Sequence, residues 1–465
     1  MNRKRSINEK CGVFGIYGHP EASTITYHGL FALQHRGQES SGIVSTDGKK
    51  SYKHLGMGLV AEIFSDPDTL VQLKGSIAVG HNRYSTTGAS KVANIQPLVF
   101  NLQDYQLAIS HNGNLVNTTP LRKKLMKEGT IFQTTTDTEL LVHLIAKSKK
   151  ESIEDKIRDA LSLVKGAYSI VMMTWDKLIA FRDSHGFRPL CVGKLGDSYI
   201  FASESCAFDL VEAEYIRDVE PGEIIVVDEN GLHSHKGEST PKYCIFEYVY
   251  FSRPDSRVFG EFVDKTRRKL GKNLADESDV MDADIVISVP DSSNTAALGY
   301  SSRSGKRFEI GLIRNHYIGR TFINPRQEQR DFSVKIKFNP VGGVLKGKKV
   351  IVVEDSIVRG TTLKKLTKLL KDAGCKEIHV RVSSPPIKHP CFYGMDFPTP
   401  DELIANKMSV DEIKEYLGVD SLHYLSQKGM LDATGKDHSN FCTACFSGDY
   451  PIEVDNMTNK ESFEG

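Results

Sequence analysis

The sequence predicts two domains of different class: an α+β sandwich over residues 11–235 and an α/β domain with a parallel sheet over residues 243–465. Three observations predict this. Residues 11–235 alternate short strand-like runs with only two helical stretches, the pattern of sheets with helices laid on them. Further on, the apolar run Val350–Val353 passes through Glu354 and Asp355 into a polar loop, then into a helical repeat of Leu363, Leu366, Leu369 and Leu370 that stops at Gly374. A second strand, Asp284–Val289, repeats that arrangement through Pro290–Asn294 into a helix of small residues (Ala296, Ala297, Gly299). Two such units imply a parallel sheet with both loops at its carboxyl edge, where open α/β sheets bind ligands.

Composition bounds the function. A chain of 465 residues is too long for one ordinary core. Lys+Arg 60 against Asp+Glu 59 leaves a net charge of +1, so no global field recruits nucleic acid or an anionic membrane. No apolar run reaches bilayer-spanning length, and Met1–Lys10 lacks the apolar core of a secretory signal, so a cytoplasmic location is expected. In that compartment eight cysteines are thiols, metal ligands or a nucleophile before they are disulfides.

In chain order, strands are expected at Gly12–Tyr17, Ser76–His81, Gln106–Ser110, Tyr168–Thr174, Leu178–Arg182, Tyr199–Ala202 and Glu223–Asp228, with Asn230-Gly231 as a turn. Thr136 and Glu139 form a capping-box pattern ahead of Leu140, Leu141, Leu144 and Ile145, which sets a helix start. A second helix is expected from Ile153 to Val164. The polar stretch Lys236–Lys242, with Gly and Pro, reads as a linker. Arg314–Asn339 mixes Gly, Pro and charge and reads as neither helix nor strand.

Residues 350–362 carry their own chemistry. Free N–H groups at a helix N-terminus favour a phosphate, whereas two adjacent carboxylates suit sugar hydroxyls or a shared cation. Together they describe a phosphorylated sugar. The stretch resembles the 5-phosphoribosyl-1-pyrophosphate (PRPP) motif of type I phosphoribosyltransferases. On that resemblance Asp355, Ser356, Arg359, Gly360, Thr361 and Thr362 hold the ribose and its 5-phosphate, with Glu354 beside them. Pro290–Asn294 is then the pyrophosphate loop, and Ser292, Glu354 and Asp355 are the candidate Mg²⁺ ligands. The segment after Arg314 becomes a closing loop that brings Tyr317 and Lys337 to PRPP and excludes water.

Four motifs punctuate the first half: Cys11–Gly15, Leu33–Gly42, His81–Gly88 and His111–Asn114. Together with Thr136-Asp137, they resemble the N-terminal-nucleophile glutaminases of the class II amidotransferases. The resemblance implies that residues 1–10 are a propeptide and that Cys11 becomes the terminal nucleophile. It makes Asn112 and the Gly113 amide the oxyanion hole, and groups Arg36, Arg83 and Asp137 as glutamine-binding residues. Arg83 would take the α-carboxylate and Asp137 the α-ammonium, with Arg36 ordering the nucleophile region. His81 and His111 are expected to be structural. Cys191, Cys206 and Cys375 are read as core or surface thiols.

Cys442-x-x-Cys445 by itself could be redox-active, structural or incidental, and with Cys244 and Cys391 it makes four thiolates that suit zinc or a [4Fe–4S] cluster equally. Cys244–Ser256 resembles the amidophosphoribosyltransferases in particular, as does the chain as a whole. One branch of that family carries an iron–sulfur cluster on cysteines in these four positions, which favours the cluster, in a structural role. The resemblance further implies ammonia transfer from Cys11 to PRPP giving 5-phosphoribosylamine, feedback by purine nucleotides, and a homotetramer. Two other readings remain at this point: a class II amidotransferase with another acceptor, or a PRPP-sensing regulator without catalysis.

Overall fold

A computed structural model describes residues 11–84, 91–102, 105–278, 280–315, 337–395, 397 and 399–453. The first half is a four-layer sandwich. One antiparallel sheet has seven strands, in the order Glu214–Asp218, Cys191–Leu195, Ser198–Ala202, Gly12–Tyr17, Ile77–Arg83, Ser40–Thr46 and Ser51–Met57. The other has six, in the order Gly231–His235, Ile224–Asp228, Leu178–Arg182, Gly166–Met173, Gln106–Leu115 and Leu98–Asn101. Val13, Val44, Val79, Ala108, Val171, Phe201 and Ile225 pack between the sheets. The helix Ala22–Ala32 covers the outer face of the first sheet, and Asp137–Lys147 with Ile153–Leu161 covers the second.

All seven expected strands are present, but two run further than their apolar patterns. Ile77–Arg83 carries its sheet as far as Arg83, and Gln106–Leu115 carries the Asn112-Gly113 pair inside a ladder rather than on a loop. The helix Ala22–Ala32 shows no 3.6-residue hydrophobic period in the sequence because its buried face carries Ser23, Thr26 and Gly29, while Phe31 lies exposed on the other side. The helix at Thr136 begins where expected, yet the capping box does not form. The Thr136 hydroxyl pairs with that of Thr134 (2.8 Å), while Glu139 accepts from the amides of Gln133 and Thr134 (both 2.7 Å). Glu139 thus ties down the preceding loop and leaves Asp137 in the first helical turn. The helix from Ile153 ends at Leu161, before the expected Val164.

The second half has a five-stranded, wholly parallel sheet in the order Arg307–Phe308, Ile285–Ser288, Lys349–Glu354, Glu377–Val382 and Ser421–Tyr424. Helices Val263–Ser278 and Asn294–Ser304 pack on one face, Thr361–Asp372 and Val410–Leu417 on the other. Both faces are therefore buried, which is why Ile285–Ser288 and Lys349–Glu354 carry continuous apolar runs. Leu312–Arg314 pairs antiparallel with Phe338–Pro340, so strand forms at both ends of a stretch that the sequence reads as irregular. The stretch 236–242 is docked rather than free, since Thr240 and Lys242 donate to the carbonyls of Ser184 (2.8 Å) and His185 (2.7 Å).

Candidate active sites

The glutaminase motifs meet because of strand register. Gly12 pairs with Asn82 and Ser40 with Arg83, so Cys11, one residue before its strand, emerges beside Arg83. The Cys11 thiol is buried and donates to the Tyr84 carbonyl at 3.6 Å. Burial pushes its pKa up, opposed by the Tyr84 contact and Arg83, so the resting sulfur keeps its proton. Arg83 pairs with Glu39 at 2.9 Å.

Asn112 and Gly113 come from the opposite sheet, paired with Ser169 and Tyr168. The Asn112 side chain is 1% exposed, and neither its oxygen nor its nitrogen has a hydrogen-bond partner among the described residues. A buried carboxamide left unsatisfied is costly unless a ligand completes it. At Gly113 a Cβ would lie 2.0 Å from the Ala167 carbonyl oxygen, so only glycine fits. Asp137 accepts from the Leu115 amide (2.9 Å) and lies 3.5 Å from His111 Nδ1. Burial works against its charge, but His111 and the local amides outweigh burial and hold its carboxyl below the usual range. His81, buried beside the His111 carbonyl (3.0 Å), is pushed down to about 3 by burial and stays neutral. His111 Nδ1 also lies 3.2 Å from the Thr138 hydroxyl.

Arg36 stands behind Cys11, on the side of its backbone carbonyl. Its Nε donates to the Cys11 carbonyl at 3.2 Å, and its two other nitrogens meet Glu204 and Glu247 inside the protein. That geometry supports an ordering role and leaves no nitrogen directed to a substrate, so its grouping with the glutamine ligands is corrected. The acidic partners Glu204 and Glu247 were not read from sequence. Glu247 at least lies inside the Cys244–Ser256 segment; Glu204 sits in a stretch with no motif.

The second site lies at the carboxyl edge of the parallel sheet. Asp355 accepts from the hydroxyls of Ser292 (2.5 Å), Ser356 (2.7 Å) and Ser293 (3.4 Å), which joins the two strand–loop–helix units as expected. Burial raises the Asp355 carboxyl, with the serines and Arg267 opposing. Glu354 is raised well above the usual range, by burial and then by Asp355, and its buried Oε2 has no hydrogen-bond partner among the described residues. Gly360, at φ 68°, starts the helix Thr361–Asp372, which has no side-chain cap, and Thr361 and Thr362 are exposed at that open end. A left-handed turn at that position is what glycine supplies. Arg359 pairs with Glu402 at 3.1 Å. The Lys337 carbonyl accepts from the Asn315 amide at 2.8 Å, whereas Tyr317 lies outside the described residues.

Four cysteines converge elsewhere. A short parallel ladder sets Cys244 opposite Cys442, and Cys391 and Cys445 complete the lining of an apolar cavity with Phe187, Tyr393 and Met395. The Tyr393 amide donates to Cys391 Sγ at 3.4 Å. Among the described residues, no group of three or more His, Cys, Asp or Glu is arranged to hold a metal ion. This segment also touches the first site: Asn114 Nδ2 donates to the Phe392 carbonyl (2.8 Å), and Gly394 (φ 96°) lies against Gly113, where a Cβ would come within 3.1 Å of backbone.

Comparison with known proteins agrees with both halves. The family model described as a glutamine amidotransferase domain matches residues 81–209, and that of the phosphoribosyl transferase domain matches residues 311–387. An amidophosphoribosyltransferase of Bacillus subtilis is 50% identical over 457 residues, covering 97% of this chain and 96% of its own. A chloroplastic amidophosphoribosyltransferase 2 of Arabidopsis thaliana is 53% identical over 449 residues, 96% of this chain and 80% of the relative. Among solved structures, an allosteric regulatory enzyme of purine biosynthesis superposes with a TM-score of 0.93 at 49% identity, covering 97% of this chain and 98% of its own. The B. subtilis glutamine PRPP amidotransferase complexed with ADP and GMP gives 0.92 at 48% identity, covering 97% and 99%. With two relatives matched across nearly the whole chain at about half identity, and with a glutaminase sandwich and a PRPP-type sheet in one molecule, the chain belongs to the amidophosphoribosyltransferase family.

Proposed function

We propose that the chain hydrolyses glutamine at Cys11 and passes the ammonia to PRPP, displacing pyrophosphate to form 5-phosphoribosylamine. The observation that carries the reading is the buried, unpartnered Asn112 carboxamide in the same sandwich as the Cys11–Arg83 pair. While Lys10 is attached, the Cys11 nitrogen is an amide and no base. Release of residues 1–10 turns it into an α-amine of pKa about 7.7–8.0, able to accept the thiol proton near neutrality. Sulfur then attacks the side-chain amide carbon, and Asn112 with the Gly113 N–H takes the oxyanion. The proton moves on to the leaving ammonia, and water hydrolyses the thioester. Arg83 would hold the substrate carboxylate and Asp137 its ammonium.

At the sheet edge, the uncapped helix end at Gly360–Thr362 suits the 5-phosphate, and Asp355 suits the ribose hydroxyls. Ser356 and Arg359 flank that loop. Tyr317 and Lys337 remain our candidates from the closing loop. Ser292, Glu354 and Asp355 fit a magnesium ion: two carboxyls forced up by burial, one with an unpartnered oxygen, regain ionisation beside a cation. Magnesium held there with pyrophosphate would neutralise its departing charge. Cys244, Cys391, Cys442 and Cys445 would hold a [4Fe–4S] cluster, a reading supported by four thiols that line one apolar cavity. Its role would be structural. Purine nucleotides are proposed as inhibitors, supported by the ADP and GMP bound to the B. subtilis relative. A cytoplasmic homotetramer completes the proposal.

The test compares chains that begin at Cys11 with chains that keep residues 1–10. Ammonium-supported pyrophosphate release should be the same in both, and glutamine-supported release should need the free terminus. Full glutamine use by the leader-bearing chain would refute the nucleophile assignment.

A further inference from the structure

We infer that Glu247, a residue of the transferase half, is a positioning residue of the glutaminase reaction, holding the Cys11 backbone through Arg36. The inference rests on Cys11 being the nucleophile. Arg36 Nη2 and Nη1 donate to the two oxygens of Glu247 at 2.9 and 3.1 Å, a fork-to-fork pair, while Nε of the same guanidinium donates to the Cys11 carbonyl at 3.2 Å. A planar group gripped on one edge fixes the direction of its other donor. The Cys11 carbonyl is therefore oriented by a carboxylate from the other domain.

Glu247 itself has little freedom. It is fully buried, pairs with Arg188 as well, and accepts the Ser252 hydroxyl at 2.7 Å. It opens a π-helical turn, Glu247–Phe251. Arg267, also buried, donates to the carbonyls of Tyr248 (2.6 Å) and Ser252 (2.8 Å) and clamps that turn to the helix Val263–Ser278. Such turns recur at functional sites. Glu204 completes the buried set, meeting Arg36, His35 and the Ser256 hydroxyl.

Buried ion pairs are poor sources of stability, and apolar replacements often match them. What this one supplies is direction. Cys11 is held from the seven-stranded sheet and Asn112 from the six-stranded one, so the line from sulfur to oxyanion hole depends on what fixes the Cys11 backbone. A displacement of about 1 Å at a reacting group costs roughly a hundredfold in rate.

The experiment uses the full mature protein with Glu247→Gln, Glu247→Asp and Ser252→Ala, measuring pyrophosphate release with glutamine and, separately, with ammonium. Glu247→Gln should lower kcat with glutamine roughly 10- to 100-fold. Its KM for glutamine and its ammonium-supported rate should be unchanged. Glu247→Asp should recover part of the loss, and Ser252→Ala should lower the glutamine-to-ammonium ratio roughly three- to tenfold. A wild-type ratio in Glu247→Gln overturns the inference, as does an equal fall of both rates in Glu247→Gln and Ser252→Ala. If Glu247→Gln does not fold, an unchanged ratio in Ser252→Ala overturns it. Cys11→Ala run alongside separates the two failures: glutamine use surviving there refutes the nucleophile, not the prop.

Discussion

The two sites of this molecule are built in opposite ways. The first site is enclosed: Cys11, Arg83, Asn112 and Asp137 are all buried and come from two sheets and the start of a helix. The PRPP-type site is contiguous in sequence, with Glu354 at a strand end, Asp355 to Gly360 in the loop, and the exposed Thr361 and Thr362 at an uncapped helix end. An enclosed site needs outside props, here Arg36 on Cys11 and the Phe392 carbonyl on Asn114. The sheet-edge loop draws on fewer distant partners, chiefly Ser292 and Ser293 on Asp355 and Glu402 on Arg359.

That contrast breaks first at its strongest points. Asn112→Ala should reduce glutamine-supported kcat roughly 10²- to 10³-fold while sparing the ammonium-supported rate; parallel loss of both would show that the two sites are not separable. Asp355→Asn should do the reverse, reducing pyrophosphate release with either nitrogen source by roughly 10- to 100-fold through weakened charge-assisted hydrogen bonds. Loss confined to glutamine would contradict that. Asn114→Ala removes one hydrogen bond to the Phe392 carbonyl and should cost about 1 kcal/mol, or roughly fivefold in glutamine-supported rate. A larger effect would sharpen the contrast by making the four-cysteine segment a main brace of the oxyanion strand.

A further effect is read in stability, not in rate, as a pH dependence. Burial by itself would raise the Glu247 carboxyl, but Arg188 and Arg36 outweigh it and lower it from 4.5 to about 2. A depressed carboxyl contributes stability that is whole above the unfolded value and is lost as pH falls through the folded one. The melting-temperature gap between wild type and Glu247→Gln should therefore be full near neutrality and shrink as pH drops from 4.5 towards 2. A gap independent of pH would mean that the carboxylate charge is not what stabilises the joint.

Legibility in the sequence followed the same division. The loop 350–362 was readable because strand, acids, glycine and helix lie in one string whose local order makes the site. The residues of the first site were readable only as scattered motifs, and the strands that carry Arg83 and Asn112 exceeded their apolar patterns because polar residues fill the ladder positions beyond them. The Arg36 motif could be assigned to the Cys11 region, but its contacts could not. Its partners Glu204 and Glu247 lie 168 and 211 positions away, and no local spacing encodes such a pairing. The Thr136–Glu139 signal marked the helix start correctly, although Glu139 serves the preceding loop instead of the cap.

The most direct measurement pairs two rates in one variant: pyrophosphate release by Cys11→Ala with glutamine and with ammonium as nitrogen donor. The account predicts that the glutamine rate disappears while the ammonium rate persists, because only the first requires the thiol. A Cys11→Ala protein that still uses glutamine, or that loses both activities together, would contradict it.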